Sequence, residues 1–445
     1  MRKLLYILIF LFLSFSFDAD SPPPGGWYQQ FLPDIGGRQI SDMFFLDSLT
    51  GWAVTNATNQ NPDTTFVLKT TNGGDNWVIQ YGKIQTGGGF PGYFRVYFLN
   101  QSTGYTCGVK GLDKTTDGGI SWISLNAPLN SYLDMSVLNT DSIWLVSSNS
   151  LTGGVFRTTN GGQSWTQQLS LGSLNPTNIY FYDKDIGFIS NNTGAPYVRK
   201  TTDGGVSWSV IVNEGFRDLY FIDSLTGWRA NDYMKKTTDG GLNWVEQALP
   251  QGGTGHTVFS AIRKFSNINK DTIWGGYGSV AFPNFQWRGI LLRTTNGGDN
   301  WLYQIPDTSI HSGRYLHVQF VDKLHGWAYW LGGGIHTLTG GDTTFYSGLI
   351  KTSGEIPESF SLHQNYPNPF NSKTIINYEI KRRSDVRLDV YDIQGKEIMT
   401  LVKQEQEAGT YQVDFPGAFF SSGVYFYRLS ADGNVVDTKK ILLIK

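Results

Sequence analysis

Short apolar runs broken by polar turns recur along most of this chain, and the runs are too brief for helices. The clearest series is FFLDSLTGWAV at 44–54, VYFLNQSTGYTCG at 96–108, SVLNTDSIWLV at 136–146, IYFYDKDIGFIS at 179–190, LYFIDSLTGWRA at 219–230, SNINKDTIWGG at 266–276 and VQFVDKLHGWAY at 318–329. Each reads as a strand, a turn and a second strand carrying an aromatic residue. After six of the seven comes a fixed phrase: KTTNGGDNW at 69–77, KTTDGGISW at 114–122, RTTNGGQSW at 157–165, KTTDGGVSW at 200–208, KTTDGGLNW at 236–244 and RTTNGGDNW at 293–301. Its Lys/Arg-Thr-Thr closes a third strand, the glycines turn the chain, and the Trp opens a fourth. Four short antiparallel strands in each of seven repeating units predict an all-β, seven-bladed β-propeller.

Seven units against six phrases leave one outer strand to be found. GWYQQFLP from Gly26 parallels NWVEQALP from Asn243, so Trp27 is expected to open the outer strand of the last blade and close the ring with the chain's beginning. The seven equivalent tryptophans are then Trp27, Trp77, Trp122, Trp165, Trp208, Trp244 and Trp301. Leu349-Ile350-Lys351-Thr352 parallels Val67-Leu68-Lys69-Thr70, which places the third strand of the seventh unit there, ending at Ser353-Gly354. Beyond about residue 356 the phrase is gone. Alternating runs such as TIINYEI at 374–380, VRLDVYDI at 386–393 and VYFYRL at 424–429 predict a small β-sandwich. The expected organisation is a leader at 1–19, a propeller at 20–355 and a C-terminal domain at 356–445.

The phrase looks chemical but reads as architecture. Its carboxylate positions Asp117, Asp203 and Asp239 are amides at Asn72, Asn160 and Asn296. A catalytic acid or calcium site depends on the charge, whereas a turn needs only a side-chain oxygen.

Composition narrows the function classes. A formal net charge of -2, with no basic run, argues against a nucleic-acid partner. The lone cysteine, Cys107, excludes a disulfide framework and sits in an apolar run, as a core thiol does. Arg2 and Lys3 followed by an apolar run to about Phe17 have the form of a secretory signal peptide. The run is shorter than the ~20 residues of a spanning helix, so no permanent transmembrane segment is expected. His311, His317, His325 and His336 lack a ligand spacing, and no metal or cofactor site is expected.

The phrase resembles the Asp-box, or BNR repeat, Ser/Thr-x-Asp-x-Gly-x-x-Trp, and with the GW element it resembles the photosystem II assembly and stability factor family of propellers. That resemblance implies the propeller over roughly 27–354, with the box as a peripheral turn. The C-terminal segment resembles the sorting domain of the type IX, or Por, secretion system, through QNYPNPFN at 364–371, VYDIQGKEI at 390–398, SGVYFYRL at 422–429 and the closing KKILLIK. Its motif residues are Asn365, Tyr366, Pro367, Asn368, Pro369, Phe370, Gly423 and Tyr425. It implies handling by the type IX machinery, passage through the periplasm, and secretion or attachment at the outer-membrane surface.

No residue is assigned a catalytic role. Sialidases need three arginines, a Tyr/Glu pair and, in many members, Arg-Ile-Pro, which this chain lacks. Arginines do recur near the start of the first strand of several units, at Arg38, Arg95, Arg217, Arg263 and Arg314, where they would face a ligand at the channel mouth. The expected function is a secreted or cell-surface, non-catalytic propeller binding a protein or glycan. The alternative is a secreted glycoside hydrolase, sialidase-like or otherwise polysaccharide-active.

Overall fold

The computed structural model describes residues 26–58, 63–85, 92–109, 111–147, 152–170, 176–191, 197–250, 257–281, 287–306, 313–342, 349–353, 355–371, 373–416 and 420–444. The apolar leader and His311 lie outside them. Among the described residues there is no helix, and none therefore long and apolar enough to cross a membrane. Seven antiparallel sheets follow one another along the chain as the blades of a propeller, and two further sheets form a C-terminal sandwich.

Blade 1 shows the plan: strands Ile40–Phe45, Gly51–Thr55, Asp63–Thr70 and Val78–Gln85 pair in sequence order from the channel outward. Blades 2 to 5 repeat it over 93–125, 134–170, 178–212 and 218–247, and blade 6 over 257–304 adds a short fifth strand, Trp287–Gly289, on its second strand. Blade 7 takes Val318 and its neighbours in His317–Phe320, then Gly326–Trp330 and Gly333–Thr337, and its outer strand is Tyr28–Gln30 from the start of the chain. Tyr28, Gln29 and Gln30 lie opposite His336, Ile335 and Gly334.

The third strand of blade 7 is thus Gly333–Thr337, not the stretch around Leu349 that the sequence parallel suggested. The seventh phrase was present but degenerate: His336-Thr337-Leu338-Thr339-Gly340-Gly341 turns like the others. The Thr337 hydroxyl accepts the Gly341 N–H at 2.8 Å, and both glycines take positive φ. Leu349–Ser353 instead pairs with Gly409–Pro416 in the sandwich.

The phrase earns its regularity in packing between blades. In each box the Thr hydroxyl accepts the second glycine's N–H, and the Asp or Asn Oδ1 accepts a backbone N–H four residues on, at 2.9–3.0 Å in all six: Asn72, Asp117, Asn160, Asp203, Asp239 and Asn296. Amide and carboxylate do the same work. In five blades, all but the third and sixth, whose first strands end in Val137 and Asn267, the box tryptophan packs edge-on against the Phe that ends the first strand of its own blade, as Trp122 does on Phe98, Trp208 on Phe181 and Trp27 on Phe320.

That same Phe lies flat on the aromatic of the preceding blade's second strand. Trp52 stacks on Phe98, Trp144 on Phe181, Trp274 on Phe320, and Trp327 on Phe45 across the closure. Trp52, Trp144, Trp228 and Trp327 each donate an indole N–H to a box glycine carbonyl in the next blade. The cation that opens the phrase covers these rings, as Lys69 does over Trp52 and Arg157 over Trp144. Blade 7 meets blade 1 through the same stacked rings and indole hydrogen bond that join blade 1 to blade 2 and blade 3 to blade 4.

The exposed carboxylates of the boxes carry a pH signature. The side-chain and backbone hydrogen bonds of Ser121 hold the Asp117 carboxyl at about 2, the hydrogen bonds of Asn243 hold Asp239 at about 2, and those of Ser207 lower Asp203. A depressed folded-state pKa adds stability above the unfolded value near 3.8, and that stability is lost as pH falls towards 2. Replacing all three by Asn is expected to leave the melting temperature at pH 7 within about 2 °C of the parent. The same variant should lose less stability than the parent between pH 4 and pH 2.5. Thermal melts at the three pH values check this, and an unchanged acid slope would count against it.

The sandwich buries one apolar core between its sheets, including Ile376, Tyr378, Leu388, Val413 and Leu429. The QNYPNPF segment is fastened to the last strand, Asn434–Leu443. Asn368 takes the Leu442 N–H on Oδ1 at 2.9 Å, and buried Phe370 exchanges backbone hydrogen bonds with Leu442 and Ile444 at 3.0 and 2.9 Å. Asn365 is buried, with Nδ2 donating to Thr374 Oγ1 and to the Pro367 carbonyl. Pro369 lies between these anchors, Gly423 opens a central strand, and Tyr425 donates to the Ser421 carbonyl. Tyr366 is exposed, at 80%, as are Pro367 and Pro369 beside it.

Candidate functional site

The two ends of the propeller are built differently. The first and second strands of every blade are joined by five residues, and in all seven an Asp or Asn side chain caps the turn: Asp47, Asn100, Asn139, Asp183, Asp223, Asn269 and Asp322. The third and fourth strands of blades 1 to 6 are joined by the seven-residue box turn. Connections at the other end range from the two residues 331–332 to the twelve residues 305–316. Length variation concentrates where a scaffold carries function, so the site belongs at the end where the first strands begin.

Aligning the seven first strands on their last residue exposes two rings around the channel. Four positions before that residue stand Ser41, Phe94, Leu133, Thr177, Arg217, Arg263 and Leu316, one from each blade. They line a cavity of about 450 Å³ together with Arg95, Asn178, Lys264 and Tyr277. One position deeper stand Asp42, Arg95, Asp134, Asn178, Asp218, Lys264 and His317, of which all but His317 line a second chamber of about 180 Å³.

The deeper ring is knotted by charge. Arg95 Nε lies 2.7 Å from Asp134, Lys264 Nζ 3.4 Å from Asp218, and His317 Nδ1 3.6 Å from Asp42. Each of the three carboxylates also accepts a backbone N–H from the following blade, of Val96, Ile179 and Phe265, at 3.0–3.1 Å. Burial alone would raise the Asp42 carboxyl, but the hydrogen bond to His317 and the charges of Arg95 and Lys264 hold it below its ordinary value. At Asp218 burial prevails over Lys264, and the carboxyl is raised. Burial likewise pushes the Cys107 thiol well up, as suits a core residue.

Every charged side chain lining the outer cavity is cationic: Arg95, Arg217, Arg263 and Lys264. Arg217 is exposed and has no side-chain hydrogen bond or ion pair among the described residues. Arg263 pairs with Asp232 at 2.5 Å and lies 3.7 Å from the Tyr277 ring centroid, with Arg314 4.9 Å from the same ring on the cavity's edge. Arg38 is elsewhere, tied to Asp63 and to the Thr64 carbonyl. The sequence-selected arginines therefore divide into three that line the cavity, one beside it, and one that braces blade 1.

Tyr277 is the residue that sequence reasoning missed. Its backbone sits at φ 104°, a costly conformation for a side chain of this size, in an irregular register opposite Ile262. Its signal was the cluster Gly275, Gly276 and Gly278 inside a strand, which marks a bulge. The other missed residues, Asp42, Asp134, Asp218 and Lys264, needed the seven first strands to be aligned with one another. Among the described residues no group of His, Cys, Asp and Glu could hold a metal ion. His325 and His336 face Asp322 and Asp75 singly.

Residues 364–445 match the family model of the secretion system C-terminal sorting domain. The protein is a type IX secretion substrate. It is delivered to the cell surface or outer membrane, and its cargo is the propeller. Residues 91–223 match the model of the photosynthesis system II assembly factor YCF48. No curated protein matches the chain. Among solved structures it is similar to YCF48 from Cyanidioschyzon merolae, at 16% identity over 70% of this chain and 98% of that one, with a TM-score of 0.48. It is also similar to PorZ of Porphyromonas gingivalis, described as a surface component of the type IX secretion system, at 14% identity over 92% and 59% and a TM-score of 0.46. A GH74 enzyme of Niastella koreensis follows at 10% identity over 91% and 84%, with a TM-score of 0.41.

Proposed function

We propose that the propeller is a non-catalytic binding domain at the cell surface, and that its ligand presents a carboxylate or another anionic group to the channel mouth. The observation that carries this reading is the outer cavity, where all seven blades contribute to a rim whose charged groups are all cationic and whose apolar members, Phe94, Leu133 and Leu316, can cover a ligand's body. Guanidinium groups suit carboxylates on a protein segment or an acidic glycan. The ring of paired charges beneath stops the ligand from threading the channel.

Catalysis receives less support. Glycoside hydrolysis calls for one carboxyl group free to donate a proton and another free to attack or to activate water. Here Asp42, Asp134 and Asp218 each spend one oxygen on a neighbouring backbone N–H, and the other faces the His317 ring, Arg95 and Lys264 respectively. Among the described channel carboxylates the raised one is Asp218, which favours an acid, and turnover of a polysaccharide or sialoside panel abolished by Asp218→Asn would replace the binding reading.

The binding reading is tested with acidic peptide and acidic glycan arrays on the full chain. Arg217→Glu is expected to weaken binding of the captured probe at least about tenfold, since one charge-assisted contact contributes about 1.5–3 kcal/mol. Arg38→Glu disturbs blade 1 rather than the mouth and serves as the contrast. Equal binding by Arg217→Glu and the parent would remove the mouth as the site.

A further inference from the structure

The segment after blade 7 departs from what its own pattern encodes. Leu349-Ile350-Lys351-Thr352 has the form of a blade's third strand. Blade 7, however, is already complete with Gly333–Thr337 and Tyr28–Gln30. The strand Leu349–Ser353 lies instead on the edge of the C-terminal sandwich, with Leu349 opposite Val413, Ile350 opposite Gln412 and Lys351 opposite Tyr411. Its partner Gly409–Pro416 carries fully buried Tyr411, Val413 and Phe415. The match to the sorting domain starts only at residue 364, so this strand stands on the cargo side of the domain it completes.

Between the two, residues 355–359 form an exposed connection, with Ile356 75% exposed. The chain then crosses to the opposite edge of the same sheet, where Ser361–Leu362 pairs with Lys373–Ile380. A second tie joins the halves. Leu302, on the outer strand of blade 6, is 3% exposed and belongs to the sandwich's own apolar cluster.

We propose that Leu349–Ser353 is a strand clasp donated by the propeller side to the sorting sandwich, which holds the two domains together without a covalent bond when the chain is cut within 355–359. An edge strand binds by main-chain hydrogen bonds, which survive a break in the loop beyond it. Withdrawing it would bare the edge of a strand whose side chains form the core, a surface that folded sheets keep covered. Separation of cargo from sorting domain then takes two events, cleavage and strand withdrawal. The setting rests on the sorting assignment, but the clasp is tested in purified protein alone.

A site-specific protease sequence placed between Pro357 and Glu358 of the full chain allows the cut to be made after folding. On gel filtration the two fragments are expected to co-elute in ordinary buffer and to part in about 6 M urea. Ile350→Pro breaks the clasp's ladder, and after the cut less than about a tenth of the C-terminal fragment should stay with the propeller. Excess synthetic peptide of residues 345–355 competes for the same edge and should release the fragment from the unsubstituted protein. A C-terminal fragment that elutes alone without urea would overturn the clasp. So would co-elution that neither Ile350→Pro nor the peptide disturbs, because the tie would then lie elsewhere.

Discussion

Deletion of residues 20–32 lowers the midpoint of thermal unfolding by roughly 10 °C. The segment supplies the outer strand of blade 7 and runs on into the first strand of blade 1, so the chain itself bridges the closure of the ring. Trp27 is 5% exposed, packs edge-on against Trp274 and Phe320, and donates its indole N–H to Gln304 at 2.8 Å. Gln30 reaches the other way, donating to the Gly73 carbonyl of blade 1 at 2.9 Å and accepting from Tyr329. Losing a buried Trp costs about 3–5 kcal/mol by itself, and each kcal/mol moves the midpoint of a domain this large by about 2–4 °C. The deletion also leaves Gly333–Thr337 as an unpaired edge, so the protein should aggregate on heating where the parent refolds. Calorimetry of the deletion beside Trp27→Ala separates the two contributions. Equal midpoints for parent and deletion would show that the ring does not depend on this closure.

Much of this fold was legible because one unit is written seven times. The Asp/Asn exchange across the boxes identified a turn from chemistry alone, and the structure shows why both residues serve, with Oδ1 accepting the same backbone N–H at Asn72 and Asp117. Trp27 was legible for the same reason, as a seventh copy of a residue already seen six times. The reading failed where a copy decayed. At blade 7 His336 stands for Lys, Leu338 for Thr and Thr339 for Asp, while the better match around Leu349 drew the strand assignment away. Only pairing partners reveal that Leu349–Ser353 belongs to another sheet, since a strand's sequence encodes its alternation but not the edge it joins.

The site was less legible, for a physical reason. The residues of each ring sit one per blade, 39 or more positions apart, so no local spacing betrays them. Arg95, Arg217 and Arg263 were found through their residue type, and Arg38 was chosen by the same criterion although it pairs with Asp63. The carboxylates Asp42, Asp134 and Asp218 carry no motif at all. They emerge only when the first strands are set side by side, which fixes how far down the channel each residue stands.

Chains ending at Asp342 or at Ser353 should accumulate in the periplasm with a folded propeller, and surface protein should fall below about a tenth of the parent's. The sorting match covers 364–445, and both truncations remove all of it. Because the propeller's own contacts close between blades 7 and 1, the retained cargo is expected to resist protease as the parent does, so loss of export cannot be put down to misfolding. A finer test acts on the fastening of the last strand. Phe370 is 3% exposed and its backbone bonds to both Leu442 and Ile444, so Phe370→Ala removes about 3–5 kcal/mol of packing at the point where QNYPNPF holds Asn434–Leu443. Tyr366→Ala touches an 80% exposed side chain in the same motif and should leave the sandwich as stable as before. Fractionation with surface proteolysis therefore ranks the variants: the truncations blocked, Phe370→Ala strongly reduced through instability, and Tyr366→Ala reduced only if the machinery reads that ring directly. Normal surface delivery of either truncation would refute the assignment of the C-terminal domain as the export signal.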